Sequence, residues 1–343
     1  MLSAFRWVIN RSPITQIYYD RFSGGPLQIY PNYMIDAGTL RSSAGLTPVK
    51  SFMAEAERQG VELLSLERTF SVGDTLMVIP AVRELIRLGY KARLRTTDVY
   101  CRLAELLETP YEVASNREAE GLGIILDYLV ERDHVSRALQ QIHRVRIIFE
   151  ALGLEMPETL DWSMDLGELP ALDTGFGRDD FVVFQPKGSG KKKSLDDYTI
   201  KYIIDKFQNS TMNVVVIGEG VERLVSSSQS VAIRGRQLPL PSLFSLIAKA
   251  KALVCMDSAP LWISHFTKTP VVALLGPSRL SERLTLHPLY PEGVEAVRLN
   301  DALGCESCFE MAKACEGRID CLHIPKEQIW EGIRGKLMKF LEV

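Results

Sequence analysis

The segment from Leu240 to Pro277 constrains the fold most, because it combines a helix, two apolar strands and a polar turn between them. Apolar residues recur at helical spacing as far as Ala250. Residues Ala252 to Met256 then form a short apolar run that is typical of a buried parallel strand. A second apolar run extends from Pro270 to Leu275. Two strands joined in this way form a crossover, which predicts a parallel sheet covered by helices.

The tetrapeptide Asp257-Ser258-Ala259-Pro260 separates the two strands. Asp and Ser are favoured N-cap residues, and Pro suits the first helical turn. We therefore expect a helix to start here, with free backbone N–H groups and its positive end at the carboxyl edge of the sheet. Such helix starts bind anions. An ordinary crossover without a ligand is the alternative interpretation.

Composition favours an enzyme-sized α/β protein. With 343 residues, of which 46% are hydrophobic, the chain can form two domains with separate cores. Its net charge of −3 gives no overall field that attracts nucleic acid or anionic membranes, although it leaves a local patch open. No apolar run approaches the roughly 20 residues of a membrane span, and the N-terminus lacks a signal-peptide core. We expect a cytoplasmic protein.

Strand and helix patterns alternate along most of the chain, which indicates two α/β domains. A Gly-, Pro- and Asp-rich stretch at residues 166–180 is the predicted linker. Residues 1–60 are predicted to be an N-terminal extension or an added edge of the first domain, with acceptor recognition as their functional alternative. The remaining predicted segments are a first domain over residues 61–172, a second over residues 173–325 and a C-terminal helix over residues 326–343.

Within the first domain, the sequence predicts helices over Leu76–Leu88 and His134–Leu152, with a turn at Ser71–Asp74 before the first of them. A further helix is predicted over Pro48–Gln59, in the N-terminal segment.

Six cysteines divide by spacing. Cys101 and Cys255 lie in apolar patterns and are predicted to be core residues. The other four are clustered near the C-terminus: Cys305, Cys308, Cys315 and Cys321. They could bind a structural zinc, form disulfides or be reduced packing residues, although a cytosolic location argues against disulfides.

A basic loop follows the strand predicted at Phe181–Phe184. In this loop, Gly188-Ser189-Gly190 is followed directly by Lys191, Lys192 and Lys193. The pattern is not a P-loop, because Gln185 occupies the position of the first glycine and no Ser or Thr follows Lys191.

Two groups of motifs resemble glycosyltransferase family 9, the heptosyltransferases of lipopolysaccharide core synthesis. The first is Gly73-Asp74-Thr75-Leu76 with Pro80-Ala81, and the second is Asp257-Ser258-Ala259-Pro260 with Thr269–Pro277. Cys321-Leu322 and Ile324-Pro325 also match. The resemblance covers Val61 to the C-terminus. It implies a GT-B fold: two Rossmann-like domains facing across a cleft, with the acceptor on the first and the donor on the second.

The resemblance implies an inverting transfer that needs no metal, with Asp74 as the catalytic base. Such a transfer requires one group to take the proton of the attacking hydroxyl, and an Asp at a strand-to-helix turn can do this. A helix cap is the alternative role for Asp74.

The implied donor site must stabilise a departing nucleoside diphosphate with cations and N–H dipoles. A family lysine in the basic loop contacts the donor, and Lys191 aligns best with it, within a shift of one or two residues. For the lysines, the alternative interpretation is a solvated basic loop. For Glu222, which could bind hydroxyl groups of the donor, the alternative is an exposed helix residue. The predicted donor-binding residues are Lys187, Gly188, Ser189, Lys191, Lys192, Gly218, Glu222, Asp257, Ser258, Ala259, Pro260 and Trp262.

Two departures from the family pattern bear on the donor. Ala259 replaces the usual glycine, and Trp262 replaces a histidine. Trp262 could stack on a base or sugar. His265, one helical turn later, could reach the same space or could be a packing residue.

The sequence thus predicts a glycosyltransferase that uses a nucleotide sugar and requires no other cofactor. The acceptor is a glycan, a lipid-linked sugar or modified DNA, and the protein is cytoplasmic or peripheral to the inner face of a membrane. The alternatives are transfer to modified DNA or another non-lipid acceptor, and a non-catalytic GT-B protein that binds a sugar nucleotide.

Overall fold

The computed structural model divides the chain into two compact units, Met1–Asp161 and Trp162–Val343. Each unit is built around its own sheet. In the part of the chain that the structure describes, no helix is both long and apolar enough to cross a membrane. The described residues are 7–11, 16–19, 26–29, 33–36, 46–49, 51–69, 71–114, 120–127, 142–167, 169–170, 174–177, 180–224, 227–234, 238–300, 322 and 324–341.

The first unit contains a seven-stranded sheet in the order β5-β1-β4-β9-β6-β7-β8 and a separate antiparallel pair, β2-β3. Strands β4, β9, β6, β7 and β8 are parallel, whereas β1 and β5 pair antiparallel at one edge. The strands are β1 Trp7–Ile9, β2 Gln16–Tyr19, β3 Pro26–Ile29, β4 Tyr33–Asp36, β5 Thr47–Val49, β6 Leu63–Glu67, β7 Lys91–Thr96, β8 Tyr111–Val113 and β9 Leu122–Ile125.

Strands β1, β4 and β5 of the N-terminal segment lie in this sheet. Strand β4 runs parallel to β9, and β1 and β5 continue the sheet beyond it. The helix predicted from Pro48 begins only at Phe52, because Thr47–Val49 pairs with β1 instead. This segment therefore contributes three strands to the sheet of the first unit.

Among the described residues of the first unit, four helices accompany the sheet: α1 Phe52–Gln59, α2 Val72–Arg87, α3 Asp98–Leu106 and α4 Arg144–Leu152. Helix α2 starts earlier than predicted, because Ser71 is its N-cap, so Asp74 lies in the first helical turn rather than in a preceding turn. Helix α4 starts later than predicted, with His143 as its N-cap. The first part of the predicted helix, residues 134–141, lies outside the described residues.

The second unit has a six-stranded, wholly parallel sheet in the order β12-β11-β10-β13-β14-β15. The crossover predicted over Leu240–Pro277 is confirmed. The strands are β10 Phe181–Gln185, β11 Asn213–Ile217, β12 Val231–Arg234, β13 Ala252–Met256, β14 Val271–Leu275 and β15 Val294–Arg298, and the helices are α5 Asp197–Gln208, α6 Leu240–Ala248, α7 Ala259–Thr267, α8 Leu280–Arg283 and α9 Lys326–Leu341.

The core of the second unit joins its central strands to helices α5 and α9. Phe207 on α5 lies between Phe184 on β10 and Trp330 on α9, with ring centroids 5.8 and 5.1 Å away. All three rings are buried. The C-terminal helix is therefore part of this core, because its apolar face covers the sheet.

The second unit begins at Trp162, upstream of the boundary predicted between residues 172 and 173. The Trp162 Nε1 donates a hydrogen bond to the Leu286 carbonyl at 3.0 Å, and its ring packs on His265 and Phe266. The composition of residues 166–180 indicates a linker. Trp162 precedes that stretch but belongs to the second unit, because it contacts residues far along the chain.

In the second sheet, the order of strands along the chain reverses between β10 and β13. In the first sheet, a reversal lies between β6 and β9, within the run β9-β6-β7-β8. In the second sheet the connections from β10 to β11 and from β13 to β14 leave in opposite directions, so a crevice opens at the carboxyl ends of β10 and β13. Ligands of open α/β sheets bind in this crevice.

We expect Gly123→Ala to destabilise the first unit. A Cβ on Gly123 would lie 2.2 Å from Cζ of Tyr33. This ring cannot easily move, because the Arg95 guanidinium donates to its hydroxyl at 2.8 Å. Overpacking of this kind costs about 1–3 kcal/mol. Urea unfolding followed by circular dichroism measures the effect.

Gly335→Ala is the matched control, because a Cβ on Gly335 in α9 has no neighbour within 4 Å. It should be neutral or should stabilise by up to about 1 kcal/mol. Equal effects of the two substitutions would contradict the proposed packing of Tyr33 on Gly123.

Candidate functional site

The reversal position of the second sheet is bridged by two polar side chains. Ser258 follows β13, and its hydroxyl donates to Gln185 Oε1 at the end of β10, at 2.8 Å. Ser258 is the N-cap of α7, but its side chain makes no capping hydrogen bond. Ala259 and Pro260 form the start of the helix, as predicted. The N-terminal backbone of α7 thus lies at the crevice without a side-chain cap.

Asp257 is buried beside this helix start. Arg283 binds both of its carboxylate oxygens, with two nitrogen–oxygen distances of 2.8 Å, and Ser278 Oγ donates to Oδ2 at 2.7 Å. Burial alone would raise the pKa of Asp257, but the charges of Arg283 and Lys193 and these hydrogen bonds hold it well below its ordinary value. Asp257 therefore connects the end of β13 to the loop and helix that follow β14.

The basic loop after β10 is a tight hairpin. Gly188 N donates to the Lys193 carbonyl at 2.6 Å, and the Ser194 hydroxyl donates to the Gly188 and Gly190 carbonyls. A Cβ on Gly188 would lie 2.7 Å from the Lys193 carbonyl oxygen, which explains the glycine. Ser189 at the tip is exposed. The hairpin fixes the backbone from which the lysines extend.

The four lysines of this loop have different surroundings. Lys187 pairs with Asp197 at 2.9 Å between Nζ and Oδ1. Lys193 lies close enough to Asp257 for its charge to lower the pKa of that carboxyl. Lys191 is exposed, and Lys192 is half-buried. Within the shift of one or two residues allowed for Lys191, Lys193 is therefore the lysine whose charge reaches the reversal position.

The loop after β11 lies beside the basic hairpin. Gly218 and Gly220 have φ angles of 132° and 81°, which L side chains rarely adopt. A Cβ on Gly220 would lie 4.0 Å from the Lys187 ammonium nitrogen. Glu222, in the short 3₁₀ turn that follows, is exposed. The structure thus brings the predicted residues of both loops to the same edge of the sheet.

Trp262 and His265 do not face the crevice as binding groups. Only 4% of Trp262 is exposed, and its ring stacks on His265 at 5.1 Å. His265 is fully buried and also contacts Trp162 and His287. The prediction of a stacking surface for a base is thus corrected, because this face of α7 packs into the core.

In the first unit, Asp74 both caps a helix and makes an ion pair. Its Oδ2 accepts hydrogen bonds from Ser71 N at 3.4 Å and Ser71 Oγ at 2.8 Å, and its backbone N donates to Ser71 Oγ. Its Oδ1 lies 3.0 Å from Nη2 of Arg68. The Asp74 side chain remains 22% exposed, so a proton donor in solution can reach it.

Three residues at the reversal position of the first sheet were missed in the sequence. The guanidinium of Arg68 is 2% exposed, donates to the Leu126 carbonyl at 2.5 Å and lies 3.9 Å from Asp127. Asp127 accepts from Thr69 N at 3.0 Å and from Thr69 Oγ1 at 2.5 Å. The available signal was that these polar residues directly follow β6 and β9.

Glu67, next to Arg68, is a buried acid of a different kind. Arg95 Nε lies 3.5 Å from its Oε2, which accepts no hydrogen bond from a described residue. Burial raises the pKa of Glu67 to about 8; Arg95 opposes the shift, and the charges of Asp127 and Glu112 add to it. Glu67 is therefore protonated at neutral pH and unsuited to accept a proton.

Among the described residues, no group of three or more His, Cys, Asp or Glu side chains is arranged to hold a metal ion. The predicted cysteine cluster lies outside these residues. Cys101 and Cys255 are buried free thiols, in agreement with their prediction as core residues.

Two α/β units with polar groups collected at their reversal positions define a protein of the GT-B class, as the sequence predicted. The chain belongs to glycosyltransferase family 9 (heptosyltransferase), whose family model matches residues 116–318. It is a glycosyltransferase. No curated protein matches the sequence.

Solved structures of heptosyltransferases share the fold. The dodecameric, iron-containing glycosyltransferase TibC from enterotoxigenic E. coli is 14% identical, with a TM-score of 0.59, and the match covers 98% of this chain and 95% of TibC. E. coli heptosyltransferase WaaC with ADP is 13% identical, with a TM-score of 0.54, covering 80% of this chain and 99% of WaaC. The family 9 protein of Veillonella parvula is 14% identical, with a TM-score of 0.54, covering 82% of this chain and 98% of its own.

Arg283→Met should destabilise the second unit by about 3–5 kcal/mol, because it leaves Asp257 as a buried charge without its partner. Since the pKa of Asp257 is lower in the folded protein than in the unfolded chain, the wild-type contribution is present at neutral pH and is lost on acidification. The acid-sensitive part of the stability should thus shrink in the variant. Urea unfolding between neutral and acidic pH measures both effects.

Arg334→Met removes an exposed pair with Glu331 on α9 and is the matched control. It should change stability by less than about 1 kcal/mol. An equal loss of stability in both variants would refute the claim that the buried Arg283–Asp257 pair contributes more to stability than an exposed ion pair.

Glu67→Gln should make stability less dependent on pH. Between the ordinary carboxyl pKa of 4.5 and about 8, folded Glu67 holds a proton that the unfolded chain has released. Wild-type stability therefore falls as the pH rises through this window, and the variant should lack that component. Thermal unfolding from about pH 5 to pH 8 tests this. Glu62→Gln, at a position 80% exposed, should retain the wild-type slope, and a retained slope in Glu67→Gln would refute the assignment.

Proposed function

We propose that this protein transfers a sugar from a nucleotide-sugar donor to an acceptor hydroxyl by an inverting, metal-independent reaction. The observation that carries the proposal is the charge of the second sheet's carboxyl edge. Cations and an uncapped helix start meet there, while the buried acid Asp257 is neutralised by Arg283. Such an edge attracts a diphosphate.

The donor is bound by the second unit in this proposal. The N-terminal backbone of α7 and the lysines of the hairpin contact the diphosphate, and Glu222 binds hydroxyl groups of the ribose or sugar. As the donor bond breaks, negative charge grows on the diphosphate oxygens, and fixed N–H dipoles and ammonium groups stabilise it. In this proposal, these N–H dipoles and ammonium groups stabilise the leaving group in place of a metal ion.

The first unit supplies the base. We assign this role to Asp74, which is partly exposed and held in one orientation by Arg68 and Ser71. It takes the proton of the acceptor hydroxyl while the oxygen attacks the anomeric carbon opposite the departing diphosphate. Arg68, fixed in turn by Leu126 and Asp127, positions the carboxylate. Glu67 is a poorer candidate, because it is protonated at neutral pH.

ADP-heptose is the first donor to test. Solved neighbours are described with ADP and with ADP-D-β-D-heptose, and another is an ADP-heptose lipopolysaccharide heptosyltransferase. For the acceptor we propose a glycan or a lipid-linked sugar, so the enzyme would work in the cytoplasm or at the inner face of a membrane.

Asp74→Asn should reduce transfer by about 10²–10⁴-fold, because the amide cannot accept the hydroxyl proton. Donor affinity should remain unchanged, since the second unit binds the donor. The measurement is nucleoside diphosphate release from ADP-heptose and other nucleotide sugars, with glycan acceptors and with EDTA present throughout.

Asp98→Asn, an exposed first-turn substitution on α3, is the control and should retain wild-type turnover. Full activity of Asp74→Asn would refute the proposed base, and loss of wild-type activity in EDTA would refute metal independence. Donor binding without any wild-type turnover would favour a non-catalytic sugar-nucleotide-binding protein.

A further inference from the structure

The guanidinium of Arg279 has no anionic partner among the residues that the structure describes. Arg279 lies between β14 and α8, and its backbone N donates to Glu282 Oε2 at 3.0 Å. Its guanidinium makes no hydrogen bond or ion pair with any described residue, although Nε is buried. A buried charged donor without an acceptor is costly. This cost is recovered if a ligand supplies the acceptor.

The loop that carries Arg279 is held firmly. Ser278, the preceding residue, and Arg283, one helical turn later, both bind the carboxylate of Asp257. The backbone of Arg279 is therefore tied on both sides to the end of β13. Because the backbone is already held, only the side chain of Arg279 has to be ordered when it binds a ligand.

The position of Arg279 relates it to the donor site. Strands β13 and β14 are parallel, with Met256 opposite Leu274, so the loops that follow them emerge at the same edge. The loop after β13 contains Asp257 and Ser258 and leads into the start of α7. Arg279 thus lies at the edge where the proposal puts the diphosphate.

The neighbouring charges favour an anionic ligand for Arg279. Two acids lie near this loop. Glu282 accepts the backbone N–H of Arg279 rather than its guanidinium, and Asp257 is already neutralised by Arg283. The planar guanidinium can donate two parallel hydrogen bonds to a phosphate group, which an ammonium cannot match.

We propose that Arg279 binds phosphate oxygens of the nucleoside diphosphate part of the donor. The inference rests on the proposed function and adds a residue to it. Arg279 then stabilises the charge that develops on the diphosphate as the sugar leaves. Asp257, Ser278 and Arg283 act on the donor indirectly, by holding this loop in place.

The test is calorimetric binding of ADP, UDP, GDP and CDP, and of the matching nucleosides, to the full chain. Arg279→Gln should weaken binding of the preferred diphosphate by about tenfold or more, because a charge-assisted hydrogen bond is lost. Binding of the nucleoside should not change. Arg279→Lys should restore part of the affinity, since it restores charge without the planar geometry.

Arg334→Gln on α9 is the control and should bind the diphosphate like wild type. If wild type binds a diphosphate and Arg279→Gln binds it equally well, the inference about Arg279 is overturned and the proposed function stands. If wild type binds none of the four diphosphates, the proposed function fails and the inference with it. Equal weakening for nucleoside and diphosphate would assign Arg279 a structural role and would also overturn the inference.

Discussion

The reversal of strand order between β10 and β13 is the constraint on which the second unit depends. Parallel strands with crossover helices are covered on both faces, so their side chains are almost all apolar and carry no chemistry. Polar groups collect where the strands end. At the reversal no crossover connection closes the carboxyl edge, and the backbone N–H groups at the start of α7 have no side-chain cap from Ser258.

A buried arginine organises the acids in both units, with opposite results. In the second unit, Arg283 binds both carboxylate oxygens of buried Asp257, so this acid is neutralised and not accessible at the edge. In the first unit, Arg68 holds Asp74 by one oxygen and leaves the carboxylate partly exposed. In the proposed function, the edge of the second unit binds the anionic leaving group and that of the first unit supplies the proton acceptor, which are the two chemical demands of glycosyl transfer.

Local sequence patterns predicted the crossover, the helix start at Asp257–Pro260 and the basic loop after the strand that begins at Phe181, because each depends on residues close together along the chain. The partners of those residues could not be predicted in the same way. Arg283 lies 26 positions after Asp257, and Asp127 lies 58 after Thr69. Neither pair has a local period or motif, and only the parallel register brings its members together.

By itself, the sequence determined the alternation of strands and helices, the polar breaks at the strand ends and the family to which the chain belongs. These features follow from hydrophobic period and capping chemistry, which act over a few residues. The tertiary structure alone decided that Asp257 braces a loop, that Trp262 packs against His265 and that the N-terminal segment supplies strands to the first sheet. Burial and charge pairing across the sheet depend on distant residues, and no local pattern specifies them.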